Sequence, residues 1–202
     1  MSERSDLDGR TVRAQRTRAA IVDACLELVD ELDLRPTAPR IAARAGVSVR
    51  SVFQHFDDLE GLFSAVAEQV VLRVAALVVP IDPGAELATR VEAIVQQRSL
   101  LLEALTPVRR AADVHAPFSA EITRRLQDGH DFLRAEVAAV FATELAGLTG
   151  DAADDVLDAL DAALSWSTWH DLRRLNRRSP DRARRVVARL VAGILRSAGA
   201  RI

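Results

Sequence analysis

The chain has 202 residues, enough for one large domain or a small domain fused to a larger one; 49% are apolar, 28% are charged, and the net charge is −2. This balance excludes a disordered chain and one coated in positive charge, while local basic clustering leaves a nucleic-acid partner open. One cysteine excludes an intramolecular disulfide, and neither a signal peptide core nor the roughly 18 uncharged apolar residues of a membrane span is present, so the expectation is a cytoplasmic protein with no membrane partner.

Residues 1–10 read as a flexible polar tail. Ile21, Ala24, Cys25, Leu28, Val29 and Leu32 recur at three- and four-residue intervals and predict a first helix, ending near Asp33 in a left-handed conformation. Thr37 is placed to cap a second, short helix, with Pro39 in its first turn and Ile41, Ala42 and Ala45 on its buried side. Gly46 breaks that helix, and Ser48 caps a third running to about Gln54. Asp57 or Asp58 opens a fourth, which carries Leu59, Leu62, Phe63 and Val66 to about Val79 before the Pro80 to Gly84 linker. Further helices are predicted near 85–105, 108–115, 117–147, 151–176 and 180–198. No run alternates with period two between hairpin turns, so the fold class is all-α.

Two short helices joined by a tight glycine-containing turn form a helix-turn-helix, whose second helix enters the major groove. From Arg40 to His55 the sequence has three arginines and no acid. Ser48, Val49, Arg50 and Ser51 open the second helix of this pair, with Gln54 one turn on. Arg50 suits a bidentate pair to guanine, Gln54 suits adenine, and Val49 suits a thymine methyl. His55, the Ser and Thr hydroxyls (Thr37 among them), Arg40 and Arg44 suit phosphates, which position without reading sequence.

RTRAAIVDACLELV, TAPRIAARAGVS and SVFQHFDDLEGLF follow one another here, with Ala45-Gly46-Val47-Ser48 leading to Phe53-Gln54-His55-Phe56. Over residues 16–66 this resembles the DNA-binding region of the TetR family of bacterial transcriptional regulators. The resemblance implies a three-helix helix-turn-helix domain over 11–58, a fourth helix over about 58–79 connecting the domains, and a larger helical ligand-binding and dimerisation domain over 80–202. It further implies a homodimer on a palindromic operator, released by a small-molecule effector and acting as a repressor, with no cofactor. Two departures stand out. Phe53 replaces the family's usual Tyr, which removes a hydroxyl from the phosphate face. Leu59 replaces its usual Lys, and Arg16 and Arg18 are the expected compensation.

In the C-terminal region, Leu87, Val91, Ile94, Val95, Leu101, Leu102 and Leu105 form a stripe that also holds Arg98. Arg98 either pairs with a structural acid or meets an acidic ligand. His130 falls on the Ile122, Leu126, Leu133, Val137 and Val140 face, as a hydrogen-bonded core histidine or a ligand contact. His115 and Phe118 flank a proline break at a candidate pocket mouth. Across 151–176, Val156, Leu157, Leu160, Leu164 and Leu175 share a face, with Trp166 opposite and Trp169 nearer to Trp166. That places the leucines in the core and Trp166 in a pocket wall or dimer interface. The candidate pocket is therefore Arg98, Leu102, His115, Phe118, His130, Trp166 and Trp169. Val187, Leu190, Val191 and Ile194 of the last helix join Trp166 as the candidate dimer interface.

Four scattered His, one Cys and no glycine-rich phosphate loop assemble into no catalytic or metal constellation, so no enzyme is expected. The alternative to a regulator is a helical protein-interaction module without specific DNA binding.

Overall fold

Helical periodicity in the sequence is matched by a computed structural model that describes the backbone of residues 2–200 and the side chains of residues 11–200. Among the described residues there are ten α-helices and no strand: α1 (Ser2–Asp30), α2 (Ala38–Ala45), α3 (Val49–His55), α4 (Leu59–Ala75), α5 (Leu87–His115), α6 (Ala120–Val140), α7 (Ala142–Ala146), α8 (Ala152–Ala163), α9 (Trp166–His170) and α10 (Pro180–Ser197). None is long and apolar enough to cross a membrane. The chain forms two compact units. One holds the residues up to Arg73 together with Pro107–Arg124; the other holds Val74–Thr106 together with the residues from Arg125 onward. The chain passes between these units three times, inside α4, α5 and α6.

In the first unit α1 packs on α2 and α3. Ile21, Cys25, Leu28 and Val29 of α1, Ile41 of α2, Val52 and Phe56 of α3 and Leu62 and Val66 of α4 are buried. Each side chain of this kind contributes roughly 1.5–3 kcal/mol when fully withdrawn from water. Cys25 is part of this packing: burial, and secondarily Asp33, push its thiol up to about 12, so it has no nucleophilic character at neutral pH. The backbone of residues 2–10 is helical and continues α1, because extending an existing helix fixes one residue per hydrogen bond and no proline interrupts SERSDLDGR. Met1 and the side chains of 1–10 lie outside the described residues. The left-handed residue that ends α1 is Leu32 (φ 68°), not Asp33. Leu32 N–H bonds Val29 O and Asp33 N–H bonds Leu28 O, both at 2.9 Å, the pair of bonds that closes a helix on its penultimate carbonyls.

The second unit has its own core, in which Val91, Ile94, Val95 and Leu102 of α5 meet Val137, Val140 and Phe141, Leu160 and Leu164, Trp169, and Ala183, Val187, Val191 and Leu195 of α10. Two predicted breaks fall elsewhere. Pro107 lies inside α5, which runs unbroken to His115; the Thr106 hydroxyl donates to Leu102 O at 2.6 Å in the preceding turn. The predicted helix 151–176 is split at Leu164–Ser165, where Ser165 accepts Thr168 N–H at 3.1 Å and starts α9 afresh. A π-helical segment, Asp171–Leu175, follows.

Arg90, 5% exposed, ties α5 to α7. Its guanidinium bonds both carboxylate oxygens of Glu144 at 2.8 and 2.7 Å and Val140 O at 2.7 Å. These hydrogen bonds hold the Glu144 carboxyl below its usual range. A depressed folded-state value means that the stabilisation is present above the ordinary carboxylate range and is lost as pH falls through the lowered value. Replacing Arg90 with Met is expected to cost about 3–5 kcal/mol, since it strands Glu144 without its partner. Denaturant unfolding of the full chain measures the loss, and it should shrink toward acid pH.

Candidate nucleic-acid interface

The junction between α2 and α3 sets this surface. Gly46 takes a left-handed conformation (φ 68°). Its N–H bonds Ala43 O at 3.4 Å and Val47 N–H bonds Ala42 O at 3.0 Å, so α2 ends with its last carbonyls satisfied. A Cβ at position 46 would meet nothing within 4 Å, so the demand for glycine is one of backbone conformation, not of space. Two residues later Ser48, in extended conformation, accepts Ser51 N–H at 3.0 Å and opens α3. Thr37 occupies the equivalent place before α2, yet its hydroxyl makes no cap bond. Pro39 has removed one of the two amide hydrogens such a cap would reach.

Ser48, Val49, Arg50, Phe53 and Gln54 are exposed, whereas Ser51 and His55 are half-buried. Val49 and Phe53 stand 39% and 47% exposed, large values for apolar side chains. Arg50 pairs with no acid among the described residues. Val52 and Phe56 point the other way and are buried. The short helix thus anchors one face and presents arginine, amide and apolar groups on the other.

Charge near this surface is less free than the acid-free run 40–55 suggests. Arg44 makes a two-pronged pair with Glu31 at 2.9 and 2.7 Å and reaches Glu27 at 3.3 Å. These bonds hold the Arg44 guanidinium above, and the Glu31 carboxyl below, their ordinary values. Arg40 lies 2.7 Å from Asp33. The Arg44 pair is solvent-exposed and adds little stability, whereas Asp33 is largely covered; each pair fixes the direction of its arginine. Arg18 lies over the Phe56 ring, 4.7 Å from its centroid. Of the cations predicted to meet phosphate, Arg16 and Arg18 remain exposed and unpaired with acids among the described residues, while Arg40 and Arg44 are engaged from α1. Glu27 on α1 and Glu31 just past its end lie four residues apart, a spacing that marks them as one patch. Reading the basic run by itself missed them, because they come from another helix.

At the start of α4, Asp58 Oδ1 accepts Gly61 N–H at 2.8 Å. Leu59 is half-buried there, so the position that holds Lys in the resemblance contributes apolar cover instead of charge.

The predicted pocket residues divide between the units. His115 and Phe118 belong to the first. The His115 ring lies 4.8 Å from that of Phe63, and its Nε2 is 3.2 Å from Leu34 O, so it is a packing and hydrogen-bonding residue of the reading head. Phe118 is 84% exposed. The others belong to the second unit. Arg98, 3% exposed, bonds Glu136 at 2.7 Å and Leu133 O at 3.2 Å; Gln97 also donates to Glu136. Burial pushes the Arg98 guanidinium down, with Glu136 and then Asp161 opposing. His130 is exposed, contrary to its predicted core face, with Nδ1 3.7 Å from Asp161. Its helix turns there past Leu126 and Leu133, which are themselves only half-covered.

Trp169 is buried, also contrary to the helical wheel, and donates to Glu103 at 3.0 Å. The break at Ser165 resets the helix phase and turns Trp169 into the core beside the leucines. Trp166 is half-buried, donates to Thr106 Oγ1 at 3.2 Å and stacks on His170 at 4.5 Å. Leu175, expected with the leucines, is 71% exposed for the same reason. Of the candidate interface on α10, Val187 and Val191 are buried in the unit's own core, and only Leu190 and Ile194 keep surface. The apolar arc of α10 is used first to cover α5 and α8.

Arg98, Leu102 and Trp169 come together around a small recess with room for about one water molecule. Val95, Ser99, Ala163, Leu164, Ser165 and Val187 complete its lining.

Residues 21–66 match the family described as bacterial regulatory proteins, tetR family. No curated protein matches the chain. Among solved structures, a transcriptional regulator from Rhodococcus sp. Rha1 is similar with a TM-score of 0.69 at 19% identity, over 94% of this chain and 99% of that one. A protein from Mesorhizobium loti MAFF303099 assigned to the TetR family of transcriptional regulators follows with a TM-score of 0.62 at 22% identity, over 92% and 98%. A TetR-like transcriptional regulator from Rhodococcus sp. RHA1 has a TM-score of 0.57 at 16% identity, over 94% and 97%. At these identities the likeness is one of fold.

Replacing Ser48 with Ala is expected to lower stability by about 1 kcal/mol through loss of the α3 cap. Faster hydrogen exchange confined to the amides of 49–51 would accompany it.

Proposed function

We propose that the chain, which matches the bacterial regulatory proteins of the tetR family over residues 21–66, is a transcriptional regulator that reads a palindromic operator as a homodimer and releases it when a small molecule binds the second unit. The observation that carries this reading is the exposed face of α3, where Arg50 meets no acid and stands beside exposed Val49, Phe53 and Gln54. Arg50 reads guanine through its two-pronged donor face, Gln54 reads adenine, and Val49 meets a thymine methyl. Ser48, Ser51, Thr37, His55 and Arg16 set position on the phosphates, and the N-terminal amides of α4 add a further anion site. Phe53 contributes apolar contact and no hydroxyl.

Two copies of α3 one helical turn apart, about 34–36 Å, match successive major grooves. Surface left at Leu190, Ile194 and Trp166 supports pairing of two copies through the second unit. Residues 80–202 are then the dimerisation and effector-binding part, and release of DNA makes the protein a repressor acting in the cytoplasm. Linkage requires operator DNA to weaken effector affinity by the factor that the effector weakens DNA.

Two substitutions test the reading in one fluorescence-anisotropy titration against operator DNA. Arg50→Ala should cost about 1–3 kcal/mol and relax preference at a single base pair; equal loss on every sequence would make Arg50 a phosphate contact. Glu31→Gln should free Arg44 toward phosphate, raising affinity on all sequences and steepening the log–log salt slope by about one. An unchanged slope would mean that Arg44 never reaches DNA.

A further inference from the structure

The most basic part of the chain is not the helix-turn-helix. Residues 172–202 hold ten of the 27 arginines and one of the 29 acids, so this segment carries a net +9 in a chain whose total is −2. Its one acid, Asp181, is taken by Arg184, and Arg173 is tied to Glu103 and to Arg178 O. Every other arginine from Arg174 to Arg196 is exposed and pairs with no acid among the described residues.

Helix periodicity aligns four of them. At 3.6 residues per turn, Arg182, Arg185, Arg189 and Arg196 fall within about 60° of one another on α10, in a stripe roughly 21 Å long. Ala192 and Gly193 fill the turn between Arg189 and Arg196, so neither an acid nor a bulky side chain interrupts it. The buried Ala183, Val187, Val191 and Leu195 lie on the opposite side of the helix. Ahead of the stripe, Arg177 takes a left-handed conformation (φ 52°). Asn176 N–H bonds Asp171 O and Arg178 N–H bonds Leu172 O, both at 2.9 Å. Those bonds hold an exposed arginine in a backbone conformation that glycine or asparagine adopts more readily.

The surroundings narrow the partner. A straight stripe on an exposed helix face is no cavity for a small anion, and it matches a polyanion with charges in a row. A lipid surface would need apolar side chains beside the arginines. The apolar face of α10 lies in the unit's own core, and only Leu175 and Leu190 of this segment are large apolar side chains left exposed. A single nucleic-acid strand would need aromatic side chains on which its bases stack, and residues 172–202 contain none. Acids on a second copy are a further match, but on α8 Asp158 and Asp161 already face Arg134. Duplex DNA has none of these requirements. Over roughly 21 Å it carries about a dozen phosphates, and guanidinium groups match phosphate oxygens in two-pronged pairs.

We propose that the arginine stripe of α10, with the Arg174–Arg178 turn before it, is a sequence-independent contact surface for the phosphate backbone of double-stranded DNA. It is separate from α3 and stands apart from the regulator reading, which concerns recognition of base sequence. Such a surface holds the chain on DNA of any sequence, the state from which a sequence-reading helix searches.

The test uses the full chain and a random-sequence duplex in two measurements. The first treats the wild-type protein with phenylglyoxal, which modifies accessible arginines, and reads each site by peptide mass spectrometry. Bound duplex should slow modification of Arg182, Arg185, Arg189 and Arg196 several-fold. The second replaces these four with Gln, another good helix former. Affinity for the random duplex should fall about tenfold and the log–log salt slope should flatten by about three, while the preference among sequences is unchanged. The footprint decides even where the variant fails to fold. Protection confined to Arg50 and its neighbours would leave α3 as the DNA contact and overturn the proposal. So would stronger protection by phosphatidylserine vesicles at equal phosphate, which would mark a membrane surface. Protection that grows with protein concentration in the absence of DNA would mark a second copy, with the same consequence, and so would an unchanged salt slope in a folded variant. The regulator reading fails separately: if the chain prefers no sequence while the α10 footprint persists, that reading falls and this surface stands.

Discussion

Between α2 and α3 the chain has three residues in which to finish one helix and begin another. Gly46 turns left-handed so that its own amide and that of Val47 close the last carbonyls of α2, and Ser48 then accepts the amide of Ser51 in the first turn of α3. These bonds tie the end of α2 to the turn and the turn to the start of α3, so the angle between the helices is set by hydrogen bonds as well as by packing. Everything the surface presents follows from that angle. Val52 and Phe56 are driven inward, and Val49, Arg50, Phe53 and Gln54 are driven out. A different turn would rotate α3 about its axis and exchange its reading face for its anchoring face.

Arginine is the only strongly basic residue type in the chain, and the structure uses it in three ways. Arg90 and Arg98 are internal ties, each matched to a glutamate and a backbone carbonyl. Arg40 and Arg44 are surface ties, held by acids on or just after α1. Arg50 is left uncommitted. The planar guanidinium suits all three roles because it donates in several directions at once. Its commitment to any one partner subtracts it from the others, so Glu31 sets how far Arg44 is free for any further partner.

Much was legible in the sequence. The apolar spacing of α1, the glycine turn, the Ser48 cap and the outward residues of α3 were all readable because each depends on neighbours a few positions away. The second unit was less legible. Trp169 was misplaced because a wheel drawn across 151–176 assumed one helix, whereas Ser165 restarts it. Pro107 reads as a break from its neighbours alone, yet α5 passes through it. Val187 and Val191 were offered to a partner subunit, but the unit's own core takes them. In each case the deciding contact lies far away along the chain.

By itself, then, the sequence determined the helical class, the helix-turn-helix and the face that α3 turns outward, since periodicity, left-handed glycine and side-chain capping act within one or two turns of helix. Only the tertiary structure decided which charges are free. Glu136 lies 38 residues from Arg98, and Glu144 lies 54 from Arg90. An electrostatic partner is set by distance in space, and nothing in the local spacing of the chain encodes that distance.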